Sequence, residues 1–312
     1  MKLIGISDPH CTSRIPRGRL GNPLSDFRNK MQFVFKLASD LGNAPIICAG
    51  DLFNSPRDIL ALFKFLSITM RFPDVPFYTV YGQHDMYMRN KKVINNLAIL
   101  ARSGVIELLG SEPIKCGNCF LYGCNWGDKF PVPKHFRRDP YRNVLAAHAP
   151  ITRNSLFPGH KFKKTTRWID TYGNLFDFIV MGDIHRSSMH YYYTKSQKPG
   201  VFANTGPMMR LEVTDYMKEH KPRVVVYDST DRNFDVVDIP VAPARDVLNF
   251  GVHEEIVTEE TLGDLYISTK QIEEVNILRV IEMLLMKAKN KRGIKSVLAE
   301  VAKEIDIETD SI

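Results

Sequence analysis

The chain has 312 residues, 44% of them hydrophobic, and a formal net charge of +7. This length suits one large domain with an appendage, and the hydrophobic content is enough to bury a sizeable core. No apolar run approaches the roughly 18 residues of a membrane-spanning helix, and Asp8 comes too early for the apolar region of a signal peptide. Five cysteines agree with a reducing compartment, so we expect a cytoplasmic protein with no membrane association.

The charge is unevenly distributed along the chain. Residues 1–250 contain 34 Lys and Arg against 22 Asp and Glu, a net +12, whereas residues 251–312 contain 8 against 13, a net −5. A basic body of this kind indicates a polyanionic substrate. Solubility alone is the alternative explanation, and net charge does not choose between the two.

Strand-like and helix-like segments alternate through the first half of the chain. Predicted strands cover residues 2–7, 45–49, 77–81 and 105–109, and predicted helices cover residues 26–41, 57–70 and 92–102. The first of these helices has apolar residues at helical spacing along one face. Such a βαβ series predicts parallel strands joined by right-handed crossovers.

The second half is richer in hairpins. Hairpin-like pieces lie at 113–124, 191–204 and 222–239, with single strands at 143–147 and 177–181 and a short helix at 166–175. The turn Gly117-Asn118 favours a hairpin between Cys116 and Cys119 over a zinc cluster, since a structural zinc site needs four ligands and no fourth lies near in sequence. Together the two halves predict an α/β fold of two packed mixed β-sheets flanked by helices.

The C-terminal part is predicted to be a helical appendage. Residues 241–256 include Pro243 and Gly251 and are predicted to be a linker. Residues 257–312 follow, with apolar residues at helical spacing over 271–290 and again over 294–305. Two such helices form little core alone, so they either pack on the main body or dock a partner.

Five short motifs carry most of the chemistry, and each follows a run typical of a buried strand. They are Asp8-Pro9-His10, Gly50-Asp51, Gly82-Gln83-His84-Asp85, His148 and Gly182-Asp183-Ile184-His185. In an open α/β sheet, ligands bind outside the carboxyl ends of the strands, so these side chains are expected to converge. Carboxylates and imidazoles together suit divalent manganese, iron or zinc. Any one of them alone could be a surface or capping residue, but five in order predict a dimetal site, which clamps a phosphoester for in-line attack.

This ordered pattern resembles that of the calcineurin-like metallophosphoesterases, over residues 1–240. The stretches GDLFNSP and YGQHDMYMRN and the segment 204–210 look most like the SbcD-type nucleases of double-strand-break processing, with the tailed-phage versions nearest. The resemblance implies an α-β-β-α sandwich containing a dimetal phosphoesterase. It also implies exonuclease and endonuclease activity on DNA, in the host cytoplasm if the protein is phage-encoded.

The resemblance also assigns roles to matching positions. One ion would be held by Asp8, His10 and His185, the other by Gln83, His148 and Asp183, with Asp51 bridging the two. His84 would face the scissile phosphate as an acid or charge stabiliser, and Asp85 would orient it.

Two positions depart from the family pattern. Gln83 stands where the family has Asn, and Asp183 stands where it commonly has His. Both side chains can still bind a metal. A hard carboxylate oxygen in place of nitrogen favours manganese, or else magnesium, over zinc.

Three basic loops are candidates for DNA contact. The predicted contacts are Arg14, Arg17 and Arg19 after the first motif, Arg137 and Arg138 before His148, and Lys161, Lys163 and Lys164 after it. Arg and Lys would position a duplex through its phosphates without reading sequence. The alternative for each loop is a solvated face.

Partners are implied by the resemblance alone. It implies that the C-terminal helices bind an SbcC-type, SMC-like ATPase and that the protein forms a homodimer. Two other functions stay open: a metallophosphoesterase acting on a nucleotide or a phosphoprotein, and a non-catalytic scaffold. Retained histidines at positions 10, 84, 148 and 185 argue against the scaffold.

Overall fold

The computed structural model describes residues 1–133, 141–156 and 159–251. The strands are β1 Lys2–Ile6, β2 Ile46–Cys48, β3 Phe77–Thr79, β4 Glu107–Leu108, β5 Ile114–Cys116, β6 Cys119–Cys124, β7 Arg142–His148, β8 Ile151–Thr152, β9 Lys163–Lys164, β10 Phe178–Gly182, β11 Ser188–Tyr193, β12 Pro199–Asn204, β13 Arg223–Asp228 and β14 Asn233–Asp238. The α-helices are α1 Pro23–Asp40, α2 Ile59–Thr69, α3 Asn96–Arg102, α4 Thr165–Thr171, α5 Asp215–Glu219 and α6 Ala244–Val247. Short 3-10 helices cover Tyr87–Arg89 and Gly173–Leu175.

The first sheet has the strand order β14-β13-β1-β2-β3-β4. Strands β1 to β4 are mutually parallel, with Ile46 opposite both Ile4 on one side and Phe77 on the other. The predicted βαβ series is therefore confirmed. Strand β13 pairs antiparallel with β1 and brings the end of the described chain back beside its beginning.

The second sheet has the strand order β11-β12-β10-β7-β6-β5. Its four middle strands are parallel, and each edge strand is the antiparallel arm of a hairpin. The predicted hairpins at 113–124, 191–204 and 222–239 are confirmed, and the first turns at Gly117-Asn118 with Cys116 opposite Cys119.

Alternation along each strand divides the core into three layers. Leu3 and Ile47 face the second sheet, where they pack in one cluster with Phe178 and Val180. The intervening residues of the first sheet face α1, α2 and α3, and those of the second sheet face α4 and its buried Trp168. Because side chains on a strand alternate between faces, two sheets packed together need helices on both outer faces. The predicted α-β-β-α sandwich is confirmed.

Caps explain where the helices begin. The Asn22 side chain accepts hydrogen bonds from the N–H groups of Leu24 and Ser25, so α1 begins three residues before its predicted start at 26. The Asp58 side chain caps α2 in the same way by accepting from the N–H of Ala61.

The C-terminal predictions fall largely beyond the described chain. The predicted helical segment 257–312 and residues 252–256 of the predicted linker lie outside the described residues. The rest of that linker, 241–251, contains α6 and packs on the preceding domain. Leu248 is buried, and its backbone forms an isolated antiparallel β-bridge with Arg19. No helix among the described residues combines the length and the apolarity that crossing a membrane requires.

Candidate metal centre

The five motifs meet at the carboxyl ends of five strands. Asp8, Asp51 and Gln83 follow β1, β2 and β3 of the first sheet, while His148 ends β7 and Asp183 follows β10 of the second. The sandwich brings both sheets' strand ends to one place. His148 Nε2 lies 2.8 Å from Gln83 Oε1, 3.3 Å from Asp51 Oδ2 and 3.7 Å from Asp183 Oδ1.

The ligating atoms form two groups that share Asp8. One group is Asp8, His10 and His185, the other is Asp8, Asp51 and His148, and within each the ligand atoms lie within 4.8 Å of one another. Asp51 Oδ2 is also 4.0 Å from His10 Nε2, so this carboxylate faces both groups. The structure thus brings together all seven side chains predicted to bind metal. Asp8 is the member common to both groups, and the bridging role of Asp51 stays a prediction.

The chemistry of these side chains fits divalent cations. Among the described residues, the buried oxygen Asp8 Oδ2 has no hydrogen-bond partner. A buried carboxylate oxygen without a donor is costly unless a cation compensates it. Carboxylate, imidazole and amide donors in one cluster are the ligands that manganese and related ions accept.

Burial shifts the pKa values of two predicted ligands, Asp8 and His10. It raises the pKa of Asp8 to about 6 and lowers the pKa of His10 to about 3. His10 is therefore neutral at physiological pH, which is the form that binds a metal.

His148 and Asp51 shift each other's pKa, with His148 Nε2 lying 3.3 Å from Asp51 Oδ2. Burial alone would lower the pKa of His148, but the carboxylates of Asp51, Asp8 and Asp183 together outweigh it and raise that pKa to about 10. Burial likewise opposes ionisation of Asp51, yet His148 holds the pKa of this carboxyl well below its usual range. Because a metal binds only neutral imidazole, loading this position would release the proton of His148.

The backbone is strained at the ligands. Asp8, His10, Asp51 and Asp183 have φ angles of 47°, 47°, 49° and 87°, in the left-handed region that non-glycine residues seldom occupy. Such strain persists only where surrounding contacts enforce it, and it concentrates at functional sites. Here the N–H of His10 donates to the carbonyl of Asp51 at 2.9 Å, and the N–H of Asp183 donates to Asp8 Oδ1 at 3.0 Å.

Two glycines allow the backbone to approach the ligands. A Cβ on Gly82 would lie 2.0 Å from Asp51 Oδ1, and a Cβ on Gly50 would lie 2.7 Å from His148 Nδ1. Any larger residue would displace a ligand. The glycines of the second and third motifs are thus part of the site's packing.

His84 is exposed at the mouth of the site. Its ring centroid lies 5.2 Å from that of His10, and its Nδ1 lies 3.3 Å from the carbonyl oxygen of Asn54. Its N–H donates to Asp51 Oδ1 at 2.8 Å. The imidazole is therefore accessible to a substrate while its backbone is held by a predicted metal ligand.

Asp85 acts on the backbone of the site. It is fully buried, and its carboxylate accepts from the N–H groups of Phe53 and Gly82, each at 3.0 Å. It thereby joins the loops that follow β2 and β3. The predicted orientation of His84 by Asp85 would operate through these backbone contacts, since the contact of the His84 ring nitrogen is with Asn54.

The predicted DNA contacts divide into accessible and inaccessible residues. Arg14, Arg17, Lys161, Lys163 and Lys164 are exposed. Arg137 and Arg138 lie outside the described residues.

Arg19 does not belong to an accessible basic surface. Its side chain is 1% exposed, and its guanidinium donates to the carbonyl of Arg210 at 2.5 Å and to Asp26 at 2.6 Å. A buried guanidinium with these partners cannot reach a phosphate. We therefore remove Arg19 from the predicted DNA contacts.

Sequence reasoning missed the support behind the centre. Lys30 is buried in α1, where its Nζ donates to the carbonyl of Met208 at 2.9 Å and pairs with Asp26 at 2.9 Å. The N–H of Met208 in turn donates to the carbonyl of Asp8 at 3.1 Å. Burial lowers the pKa of Lys30 to about 8. The sequence pattern that could have indicated this role is the position of Lys30, three residues after Phe27 on the apolar face of its helix.

A second buried contact holds the same segment, residues 204–210. Ser7 and Thr205 exchange hydrogen bonds, since the N–H of each donates to the hydroxyl of the other, at 2.9 and 3.2 Å. His220 Nε2 donates to the carbonyl of Pro207 at 2.7 Å. The loop after β12 is thus attached both to the end of β1, which carries Asp8, and to the residue that follows α5.

Comparison with known protein families agrees with this site. The family model described as calcineurin-like phosphoesterase matches residues 1–194. Among solved structures, NAD nucleotidase of Haemophilus influenzae is similar with a TM-score of 0.42 and 12% identity, over 98% of this chain and 60% of that one. The 5′-nucleotidase precursor of Thermus thermophilus gives a TM-score of 0.41 and 10% identity, over 88% of this chain and 60% of that one.

The chain spans about 60% of the length of both these proteins. No curated protein matches it. The family match covers more than half of the sequence and includes every strand that carries a predicted metal ligand. The chain therefore belongs to the calcineurin-like phosphoesterases.

Proposed function

We propose that the chain is a metal-dependent DNA nuclease subunit, which hydrolyses phosphodiester bonds in DNA end processing, recombination or repair. One observation carries this choice within the family. Arg14 and Arg17 are exposed on either side of Pro16, and Pro16 lines a cavity together with His10, His84 and His185. Basic side chains at the rim of a phosphoesterase site suit a substrate with many phosphates.

The side chains of the centre have separate tasks in this reaction. The seven predicted ligands would hold two divalent ions, manganese or else magnesium, which would supply Lewis acidity toward the phosphoryl oxygens. His84 lies at the mouth of the cavity and is able to donate a proton to the leaving oxygen or to stabilise developing charge. Asp85 holds the loops after β2 and β3 together by accepting hydrogen bonds from both.

The proposed partners rest on the sequence resemblance. The amphipathic segment 257–312 would dock an SbcC-type, SMC-like ATPase, in the way that an apolar helix face enters a groove. A homodimer is proposed on the same ground, and so is a cytoplasmic location.

A second candidate is a phosphoesterase for mononucleotides. The observation in its favour is the small size of the cavity beside His84, about 200 Å³. A scaffold without catalysis is disfavoured, because it would not need buried, strained carboxylates directed at one another.

The proposal is tested by digestion of end-labelled duplex DNA by the purified full chain, with manganese, with magnesium and with chelator. We expect manganese-dependent digestion that is lost in His84→Ala, which controls for contaminating nucleases. Metal-dependent hydrolysis of a mononucleotide without digestion of DNA would instead favour the mononucleotide enzyme. No activity on either substrate and no bound metal would overturn both candidates.

A further inference from the structure

A cavity opens directly beside the candidate metal centre. Its volume is about 200 Å³, and three imidazoles form one of its sides: His10, His84 and His185. The rings of His10 and His185 are 4.9 Å apart, centroid to centroid. The cavity therefore adjoins the place where these histidines would meet a bound phosphate.

The cavity also has an apolar side. It is formed by Pro16, Pro207, Met209, Leu211 and Met217. Met209 and Met217 are buried, at 1% and 3% exposure. Thioethers are polarizable and make favourable contacts with aromatic rings, so this side suits a flat aromatic group.

The apolar side is held in place before any ligand arrives. Pro207 is fixed through its carbonyl by His220, and the neighbouring Met208 is fixed through its carbonyl by Lys30. A preformed surface binds more tightly than one that must order itself, because the ordering cost has already been met in folding.

The charge and the size of the cavity limit the kinds of ligand that it could accept. Glu212 also lines the cavity, and its carboxylate would disfavour a phosphate inside this space. A volume of about 200 Å³ is below the roughly 300–1,000 Å³ of sites for drug-sized ligands, and so suits one ring system. A neutral, planar and largely apolar group attached to a phosphate through a sugar meets both requirements.

We propose that this cavity is a nucleobase subsite, which accepts the base of the nucleotide whose phosphate lies at the metal centre. A base seated there is unpaired and unstacked from its strand. The enzyme would therefore act on frayed or single-stranded ends in preference to fully paired duplex, because extruding a paired base costs free energy. The subsite presupposes a nucleotide substrate and in that sense rests on the proposed function.

The direct test measures binding rather than turnover. Titration calorimetry on the full chain with manganese would compare thymidine 5′-monophosphate with 2-deoxyribose 5-phosphate, which lacks the base, and chromatography afterwards would verify that both remain intact. We expect the base to tighten binding at least tenfold, in line with stacking of a base on a protein surface. Equal dissociation constants would overturn the subsite.

Two matched variants locate the effect. Leu211→Trp fills the cavity and should reduce the difference between the two ligands to less than twofold, whereas Val236→Trp on the exposed edge strand β14 should keep it. A tenfold preference that persists in Leu211→Trp would place the base elsewhere and overturn the assignment. If the tryptophan variant fails to fold, Leu211→Ala removes contact without adding bulk and should reduce the preference severalfold.

The subsite and the nuclease activity can fail independently. A base preference without DNA digestion would keep the subsite and leave the nuclease unsupported. DNA digestion without a base preference would keep the nuclease and remove the subsite. With both present, single-stranded oligonucleotides should be cut at least tenfold faster than blunt duplex, and equal rates would contradict base extrusion.

Discussion

The N–H of His84 donates a 2.8 Å hydrogen bond to Oδ1 of Asp51, whose Oδ2 lies 3.3 Å from His148. One carboxylate thus contacts a predicted metal ligand through one oxygen and holds the backbone of the candidate acid through the other. The imidazole of His84 itself is exposed and lies outside both ligand groups. Metal binding and proton transfer are therefore separable by mutation.

Removal of the His84 imidazole should sharply reduce turnover without loss of metal. General acid–base catalysis contributes typically about 10²- to 10⁴-fold, so kcat of His84→Ala on a phosphodiester should fall by about that factor. Metal content measured by mass spectrometry should match the wild type, because the Asp51 contact uses only the backbone N–H. Wild-type-like rates would remove His84 from the mechanism.

Asp51→Asn should have the opposite signature. It removes the negative charge that faces both ligand groups, so manganese affinity should fall more than tenfold, with activity lost in parallel. Asp74→Asn is the matched control, since Asp74 is exposed before β3, at the other end of the strand. Equal manganese affinity in the two variants would contradict a ligand role for Asp51.

Two lysines of the same helix should differ sharply in their contribution to stability. Lys30 is buried against Asp26 and the Met208 carbonyl. Asp26 keeps Arg19 as a partner, but Lys30→Met leaves the Met208 carbonyl without this donor, so it should destabilise by about 1–3 kcal/mol. Lys36 pairs with Asp40 on the surface, where such pairs contribute about 0.5 kcal/mol, so Lys36→Met should be nearly neutral. Denaturant unfolding of the metal-free proteins measures both, and similar losses would refute the buried role of Lys30.

His220 should make the fold sensitive to acid. Burial lowers the pKa of His220 from 6.5 to about 4, so the unfolded chain binds more protons between these values. Stability from this group is therefore complete above pH 6.5 and is lost as the pH falls toward 4, by up to about 3 kcal/mol. Unfolding at pH 7 and pH 4.5 in chelator should show a shallower acid loss in His220→Gln than in the wild type or in the exposed control Lys218→Gln. Parallel losses in all three would exclude His220 as the cause.

The accessible lysines after His148 should govern the salt dependence of DNA binding. Reversing Lys161, Lys163 and Lys164 to Glu should weaken binding and flatten the slope of log affinity against log salt, because fewer counterions are released. Lys195→Glu with Lys198→Glu is the control, since these exposed residues lie in the β11–β12 turn at the opposite strand ends. If the control weakens binding equally, a general charge effect replaces the proposed surface.

Much of the candidate site follows from local rules. Alternating buried strands and helices predict parallel pairing, and parallel pairing brings strand ends to one edge. Asp8, Asp51 and His148 were therefore assignable from their positions just after, or at the end of, apolar runs. Those are short-range properties of the chain, and they can be inferred from the sequence.

The support of the site depended on long-range contacts. Lys30 reaches Met208 across 178 residues of sequence, and Ser7 reaches Thr205 across 198. A similar distance in sequence separates the two sides of the cavity, since His10 comes from the loop after β1 and Met217 from α5. Arg19 shows the converse, because a basic residue in a basic loop turned out to be buried.

The sequence alone therefore determined the parallel core of the sheets, the ligand types and the reaction class, because each depends on residue type and spacing within a strand and its following loop. Tertiary structure alone decided which basic side chains are buried and which groups each carboxylate of the centre contacts. It also decided that an apolar cavity adjoins the centre. Those properties arise where segments distant in sequence pack together, and hydrophobic periodicity within one segment carries no record of which distant segment will cover it.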